Sequence, residues 1–217
     1  NTGDHVPIRK VVMNALQRIE AASKSTGSVT GVATGFFDLD VMTSGMQPAD
    51  LVLIAARPSM GKTAFVLNIA QHVAFKLNQT VAIFSLEMSK EQLVNRLFSL
   101  ESRVDSQHIR TGQLSDAEWE NLIESAGVIG KSNLIIDDTP GISISEMRSK
   151  CRKYKLEHDI QVIIIDYLQL MHSAKRTDNR VQEVSEITRS LKIMAKELKV
   201  GDILAPNANG ILLCGKR

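Results

Sequence analysis

Four short apolar runs divide the middle of the chain. They occupy residues 51–56 (LVLIAA), 81–86 (VAIFSL), 134–137 (LIID) and 162–166 (VIIID). None of them alternates apolar with polar residues, which is typical of strands that are covered on both faces. The runs are separated by helical stretches, so the pattern predicts an α/β fold with a mainly parallel sheet flanked by helices. In such a sheet the ligand site lies at the carboxyl ends of the strands.

Helix starts and amphipathic stretches complete this pattern. Three helices are predicted to begin with a capping box, at Ser89-x-x-Gln92, Ser115-x-x-Glu118 and Ser143-x-x-Glu146. Residues 6–22 form an amphipathic helix, followed by a linker at 23–34, and this helix either docks on a neighbouring subunit or packs back on its own domain. A last helix at 181–199 carries an apolar stripe that is expected to pack on the sheet, rather than in an inter-chain coiled coil.

Composition narrows the class of protein only slightly. A length of 217 residues suits one α/β domain with a short appendage, and a net charge of +2 is too small for nucleic-acid binding by overall charge. Cys151 and Cys214 have no metal-ligand spacing, which favours a reducing compartment without disulfides. We find no apolar run of membrane-spanning length and no signal peptide, so a cytoplasmic protein without membrane contact is expected. The chain begins with Asn1 rather than Met, which suggests a fragment or a processed product.

The strongest motif is a phosphate-binding loop at residues 56–63. Its residues are Ala56, Arg57, Pro58, Ser59, Met60, Gly61, Lys62 and Thr63. A loop between a strand and a helix N-terminus directs backbone N–H groups at phosphate oxygens. Lys62 is expected to reach the β- and γ-phosphates of a nucleoside triphosphate, and the Thr63 hydroxyl to ligate Mg²⁺. Ala56 replaces the first glycine of the motif, which is tolerable if its φ stays negative; a chance GKT at a turn is the alternative.

Acidic residues lie at the carboxyl ends of three of the predicted strands. Asp166 ends the most apolar run, where a carboxylate needs a cation or hydrogen-bond donors, and we interpret it as the Walker-B aspartate rather than a turn cap. Glu87 follows the second run and either polarises the attacking water or simply favours the next helix start. For Asp137 and Asp138, the following Thr-Pro-Gly favours a turn.

Seven stretches together resemble one family. They are TGFFDLD (34–40), ARPSMGKTAFVLNIA (56–70), AIFSLEMS (82–89), RTGQLSDAEW (110–119), IDDTPGISISEMRSKCR (136–152), IIIDYLQLM (163–171) and NRVQEVSEITRSLKIMAKEL (179–198). In order and spacing they resemble the motor domain of the DnaB-type replicative DNA helicases, in the RecA-like ATPase superfamily. The family also has Ala in place of the first glycine. These stretches argue against a recombinase-type or circadian-clock-type relative.

The resemblance implies a function and a division of the chain. It implies a RecA-like P-loop NTPase that forms a homo-hexameric ring, binds ATP and Mg²⁺ between subunits and moves 5′ to 3′ on single-stranded DNA. Glu87 matches the catalytic glutamate and Asp166 the Walker-B aspartate. Residues 1–29 would hold the linker helix, which docks on the adjacent subunit, and residues 30–200 the ATPase domain. The family's N-terminal domain, where primase interacts, is not represented; a loader and primase are expected partners of the full-length protein.

Basic residues after the Walker-B strand are candidate DNA contacts. Lys175, Arg176 and Arg180 lie in a polar stretch that resembles a channel-facing loop, where cations would contact DNA phosphates without regard to sequence. A solvated basic loop is the alternative. Four further cations are interpreted as the solvated face of one helix: Lys150, Arg152, Lys153 and Lys155.

The end of the chain departs from the family pattern. The family continues after residue 200 with a buried strand that ends in a polar sensor, further DNA-contacting loops and an arginine finger, none of which we recognise in residues 201–217. Truncation, a change of reading frame or an artificial junction would explain this tail. A missing strand would leave the sheet exposed near the site, and a missing finger would slow hydrolysis by about 10³–10⁵-fold. The alternative to a helicase motor is therefore a truncated chain that binds ATP and Mg²⁺ but neither hydrolyses ATP quickly nor unwinds DNA.

Overall fold

A computed structural model describes residues 6–24, 27, 29–57, 60–166, 180–199 and 201–205. The helices are α1 (Ile8–Lys24), α2 (Phe37–Thr43), α3 (Lys62–Gln71), α4 (Lys90–Ser102), α5 (Ser106–Thr111), α6 (Asp116–Lys131), α7 (Ile144–His158) and α8 (Arg180–Leu198). A π-helical turn at His72–Lys76 continues α3. The strands are β1 (Leu51–Leu53), β2 (Val81–Ser85), β3 (Leu134–Asp137), β4 (Val162–Asp166) and β5 (Gly201–Ala205).

All five described strands run parallel in one sheet. Their order across the sheet is β1-β5-β4-β2-β3. Because the strands are parallel, their carboxyl ends lie along a single edge, where Ser85 is paired with Asp166 and Phe84 with Asp137. The predicted α/β architecture with a parallel sheet is confirmed, although the first strand is shorter than its apolar run.

The sheet is covered on both faces, which explains why its strands lack polar alternation. On one face Ala82, Phe84, Ile163 and Ile165 pack with residues of α7 and α8. On the other face the intervening residues of β2 and β4 pack with α3 and α4. Every residue of β2 and β4 is buried. The apolar stripe of α8 belongs to the first of these layers, so its predicted packing on the sheet is confirmed.

The strand that was expected to be missing is present. Residues 201–205 form β5, and their backbone pairs with β1 on one side and with β4 on the other, as in Val52–Ile203 and Ile164–Ile203. The prediction that the sheet lacks a strand after residue 200 is therefore wrong, and a domain boundary at residue 200 would remove a strand from the interior of the sheet. The sequence GDILA is short and begins with Gly and Asp, which concealed its strand character.

The predicted helix starts are mostly confirmed. Ser89 and Ser115 form complete capping boxes with Gln92 and Glu118. At α7 only half of the box forms: the Ser143 hydroxyl accepts from the backbone N–H at Glu146. The Glu146 carboxylate instead lies 3.6 Å from Lys150 Nζ, as an i,i+4 ion pair.

Helix α1 differs from the rest of the molecule because none of its residues is buried. Its predicted apolar stripe is exposed, with Val12 at 49%, Leu16 at 55% and Ile19 at 64% of their possible surface. The chain is hydrogen-bonded to the sheet domain from Thr30 onwards, through the carbonyl of Ser44. The structure therefore does not show α1 packed on its own domain. Among the described helices, none has the length and apolar character needed to cross a bilayer.

Candidate nucleotide-binding site

The phosphate-binding loop lies between β1 and α3, at the carboxyl edge of the sheet. Gly61 caps the N-terminus of α3 with φ +86°, in the left-handed region that glycine adopts without strain. A side-chain Cβ at this position would meet no atom within 4 Å, so the backbone angle rather than space requires glycine. Ala56 does not have a positive φ, which fulfils the condition for a methyl group at that position. Pro58 and Ser59 lie outside the described residues.

Three side chains meet at the start of α3. Thr63 Oγ1 donates a hydrogen bond of 2.8 Å to Asp166 Oδ2. Lys62 Nζ lies 3.4 Å from Asp166 Oδ1, and the two side chains are only 10% and 3% exposed. The structure therefore brings together the P-loop lysine, the P-loop threonine and the predicted Walker-B aspartate, although Asp166 is 103 residues from Thr63.

The arrangement around Asp166 is suited to a divalent cation. Burying a carboxylate is costly unless its charge is balanced and its oxygens are hydrogen-bonded. Lys62 supplies the charge, but Asp166 Oδ1 has no hydrogen-bond partner among the described residues. Mg²⁺ is typically bound by one or two protein oxygens together with substrate phosphates and water. Thr63 and Asp166 fit this requirement, and Lys62 would then face the phosphates.

Glu87 lies on the same edge, one strand away. The N–H of Leu86 donates to the backbone oxygen of Asp166 at 2.8 Å, which ties the segment before Glu87 to the end of β4. The Ser85 hydroxyl donates to the Met88 carbonyl at 2.7 Å and closes the short loop. The Glu87 side chain is exposed, and we find no partner for its carboxylate in the described part of the chain. Its catalytic role stays a prediction.

Asp137, at the end of β3, has a structural role. Its Oδ1 accepts hydrogen bonds from the backbone N–H and the hydroxyl of Thr139, as the predicted turn requires. Its Oδ2 accepts from Lys150 Nζ at 2.8 Å and from the Tyr154 hydroxyl at 3.3 Å. Burial alone would raise the pKa of Asp137, but the hydrogen bonds from Lys150 and Thr139 outweigh it and keep the pKa below its usual value. Lys150 is thus an internal partner, and its assignment to the solvated helix face is wrong.

The structure does not test the predicted DNA contacts. Lys175 and Arg176 lie outside the described residues, and Arg180 is the first residue of α8.

The contact between Asp138 and Lys90 was not predicted from the sequence. It joins two segments that follow different strands, so neither segment alone indicates it.

The fold and the site together define a class of protein. A parallel sheet, a glycine-capped phosphate loop and a buried aspartate that meets the loop's Lys and Thr are the parts of a RecA-like P-loop NTPase. The family described as DnaB-like helicase C terminal domain matches residues 31–206, which include β5. The chain belongs to this family.

Relatives and solved structures agree with this assignment. The chain is 50% identical over 201 residues to the replicative DNA helicase DnaC of Bacillus subtilis, and 48% identical over 201 residues to the replicative DNA helicase DnaB of Geobacillus stearothermophilus. In both cases the match covers 92% of this chain and 44% of the relative, so the chain spans less than half of their length.

Two solved structures share the fold. One is an ATPase domain, with a TM-score of 0.87, 36% identity and coverage of 94% of this chain and 72% of that one. The other is a DnaB-like replicative helicase, described with its interactions with primase, with a TM-score of 0.83 and 37% identity. It covers 94% of this chain and 49% of that one.

Proposed function

We propose that the chain is the ATP-hydrolysing motor of a replicative DNA helicase, which couples ATP hydrolysis to 5′–3′ movement on single-stranded DNA and to duplex unwinding. The observation that carries this proposal is the meeting of Lys62, Thr63 and Asp166 at the start of α3. Such a cluster supplies the cation and the oxygen ligands that a magnesium–triphosphate complex needs. The names of the relatives support the coupling to DNA replication.

Each residue has a distinct task in this proposal. Gly61 and the N-terminus of α3 direct backbone N–H groups at the phosphates, and Lys62 contacts the β- and γ-phosphate oxygens. Thr63 and Asp166 hold Mg²⁺, which neutralises charge on the phosphates when it is bound. Glu87 accepts a hydrogen bond from the attacking water and orients it, for which its exposed carboxylate is suitable.

The proposal extends to assembly and partners. The exposed apolar stripe of α1 supports docking on the adjacent subunit of a hexameric ring, since a stripe of this kind is normally covered. Lys175, Arg176 and Arg180 would contact the phosphates of single-stranded DNA. One solved relative is described with primase, so primase is a candidate partner of the full-length protein, and a loader is another. A cytoplasmic location stays part of this proposal.

The alternative is a chain that binds ATP and Mg²⁺ without rapid hydrolysis or unwinding. A sheet that lacked a strand after residue 200 would favour this alternative, but β5 occupies that place in the sheet. A phosphate-release assay on the 217-residue chain, with and without single-stranded DNA, combined with sedimentation, separates the two. A hexamer whose turnover rises with DNA supports the motor. Binding of ATP without turnover, in a chain that stays monomeric, supports the alternative.

The site itself is tested by Lys62→Ala. Removing a charge-assisted contact to phosphate is expected to weaken ATP binding about ten- to hundredfold. The matched control is Lys76→Ala, which removes an exposed lysine about 20 Å further along the same helical segment. Unchanged ATP affinity in Lys62→Ala, or an equal loss in Lys76→Ala, would refute the site.

A further inference from the structure

We propose that Asp138 is a positioning residue for Glu87. Its contact with the N-terminus of α4 fixes the short loop that carries the predicted catalytic glutamate. This inference rests on the proposed function, because it assigns a purpose to the geometry around Glu87. Asp138 itself does not touch the reacting atoms.

The loop that carries Glu87 is attached at both ends. On one side the N–H of Leu86 donates to the backbone oxygen of Asp166, so this end follows the strand that holds Mg²⁺ in the proposed site. On the other side the N–H of Lys90 donates to Asp138 Oδ2 at 3.0 Å. Only three residues lie between these two attachments, and Glu87 is the first of them. The position of the Glu87 Cα is therefore set from two sides, by the end of β4 and by the turn after β3, and these two strands flank β2.

The contact between Asp138 and Lys90 has two components. Besides the hydrogen bond to the backbone, Lys90 Nζ lies 3.5 Å from Asp138 Oδ1. A carboxylate at a helix N-terminus also interacts favourably with the helix dipole. The backbone N–H of Lys90 holds the pKa of the Asp138 carboxyl below its usual value, so Asp138 is charged at neutral pH.

The turn that carries Asp138 is itself held firmly. The adjacent Asp137 is paired with Phe84 of β2 in the sheet register, and its carboxylate is bound to Thr139, Lys150 and Tyr154. Asp138 is therefore a fixed point against which α4 is placed. The two neighbouring aspartates have different tasks, since one secures the turn and the other reaches across to α4.

Asp138 is not needed as a local cap of α4. The Ser89–Gln92 capping box already satisfies the N–H groups of those two residues, with distances of 3.3 Å and 3.1 Å. Asp138 instead binds the first N–H of the helix from 48 residues away. Its loss would leave α4 capped but no longer attached to the turn after β3. The expected consequence is a displaced Glu87 loop in a folded protein.

A small displacement of this loop affects catalysis more than binding. A general base must lie about 2.6–3.2 Å from the heavy atom that carries the proton it accepts, and a misplacement of about 1 Å can lower a rate by about 10²-fold. ATP and Mg²⁺ are held in the proposed site by Lys62, Thr63 and Asp166, which do not depend on this contact. The turnover number should therefore fall while the KM for ATP stays constant.

The test compares three variants in the longest natural form of the protein. Asp138→Ala is expected to lower kcat about tenfold or more, with KM for ATP changed by less than about twofold. Asp138→Asn keeps an acceptor for the N–H of Lys90 and should recover most of the lost rate. The control is Asp105→Ala, because the Asp105 carboxylate also accepts a helix N–H, at 2.6 Å from Gln107, but lies beyond the other end of α4. This control should leave kcat unchanged.

Amide hydrogen exchange gives a second readout that does not need turnover. In Asp138→Ala the amide of Lys90 and those of residues 86–89 should exchange faster, while those of α7 stay as in the wild type. Unchanged exchange there, wild-type kcat in Asp138→Ala, or an equal loss of kcat in Asp105→Ala would overturn the inference.

Glu87→Gln, measured alongside, separates this inference from the proposed function. If the wild-type protein does not hydrolyse ATP, the proposed function is wrong. If it does, and Glu87→Gln hydrolyses ATP at the same rate, the catalytic role of Glu87 is wrong and the positioning role of Asp138 falls with it. If Glu87→Gln is inactive while Asp138→Ala is fully active, only the positioning role is wrong.

Discussion

Asp166 and Glu87 lie at the carboxyl ends of the neighbouring strands β4 and β2, yet one side chain is buried and the other is exposed. The Asp166 side chain is 3% exposed and lies against Lys62 and Thr63. The Glu87 side chain faces solvent, although the backbone before it is bonded to Asp166. A buried carboxylate with a cation beside it is suited to hold a metal and phosphates, whereas an exposed one is suited to meet water. The difference suggests a division of labour between binding and hydrolysis.

The largest effect is expected at the exposed carboxylate. Glu87→Gln keeps the size of the side chain but removes its basicity, so ATP turnover should fall by about 10²–10⁴-fold. Binding of ATP with Mg²⁺, measured by calorimetry, should stay at the wild-type level. A variant that loses binding and turnover together would show that the two carboxylates are not separated in function.

The next effect concerns the buried carboxylate. Asp166→Asn retains an acceptor for Thr63 but removes the charge that faces Lys62, so Mg²⁺-dependent binding of ATP should weaken about ten- to hundredfold. Titration of ATP binding with and without Mg²⁺ measures this change. If Mg²⁺ raises the affinity of the variant for ATP as much as it raises that of the wild type, the assignment of Asp166 as a metal ligand is wrong.

The third carboxylate at this edge, that of Asp137, is expected to make the stability of the protein depend on pH. Lys150→Met removes the charged partner of Asp137, and we expect the free energy of unfolding at pH 7 to fall by about 1–2 kcal/mol, given the partial exposure of the pair. The pKa of Asp137 lies below its usual value, so this contribution is present above about pH 3.9 and is lost as the pH falls through the lowered pKa.

Urea unfolding of the wild type and of Lys150→Met between pH 7 and pH 3 measures this contribution. The difference between them should be constant down to about pH 4 and shrink below it. A difference that is the same at pH 3 and pH 7 would exclude the charge interaction as its cause.

The smallest effect compares two matching helix caps. Ser89→Ala and Ser115→Ala each remove a capping-box hydroxyl and should each cost about 1 kcal/mol of stability. Ser89 caps α4 at the end of the loop that carries Glu87, so its loss should also lower turnover, by about fivefold at most. Ser115 is remote from the site in the sequence and serves as the control. Equal turnover in both variants would mean that the cap does not order Glu87.

Local patterns predicted the parts of this fold that depend on local chemistry. The runs LIID and VIIID coincide with β3 and β4, and the GKT motif marks the N-terminus of α3. Contacts between distant segments were not accessible in this way. Lys150 has the spacing of a solvated helix face, and only the position of the turn after β3 brings it to Asp137. The pairing of β5 likewise depends on both neighbouring strands rather than on its own residues.

The position of β5 has a consequence for how the protein is made. On the ribosome, the phosphate-loop strand and the strand of Asp166 both emerge well before residues 201–205, which must be placed between them. The strand that precedes the phosphate loop and the strand that carries Asp166 cannot be joined until that segment leaves the exit tunnel. At synthesis rates of about 5–20 residues per second, β1 and the edge of β4 that faces away from β2 lack a strand partner for seconds. Unpaired strand edges promote aggregation, so we expect this interval to be the most aggregation-prone part of synthesis and the proposed nucleotide site to form after it.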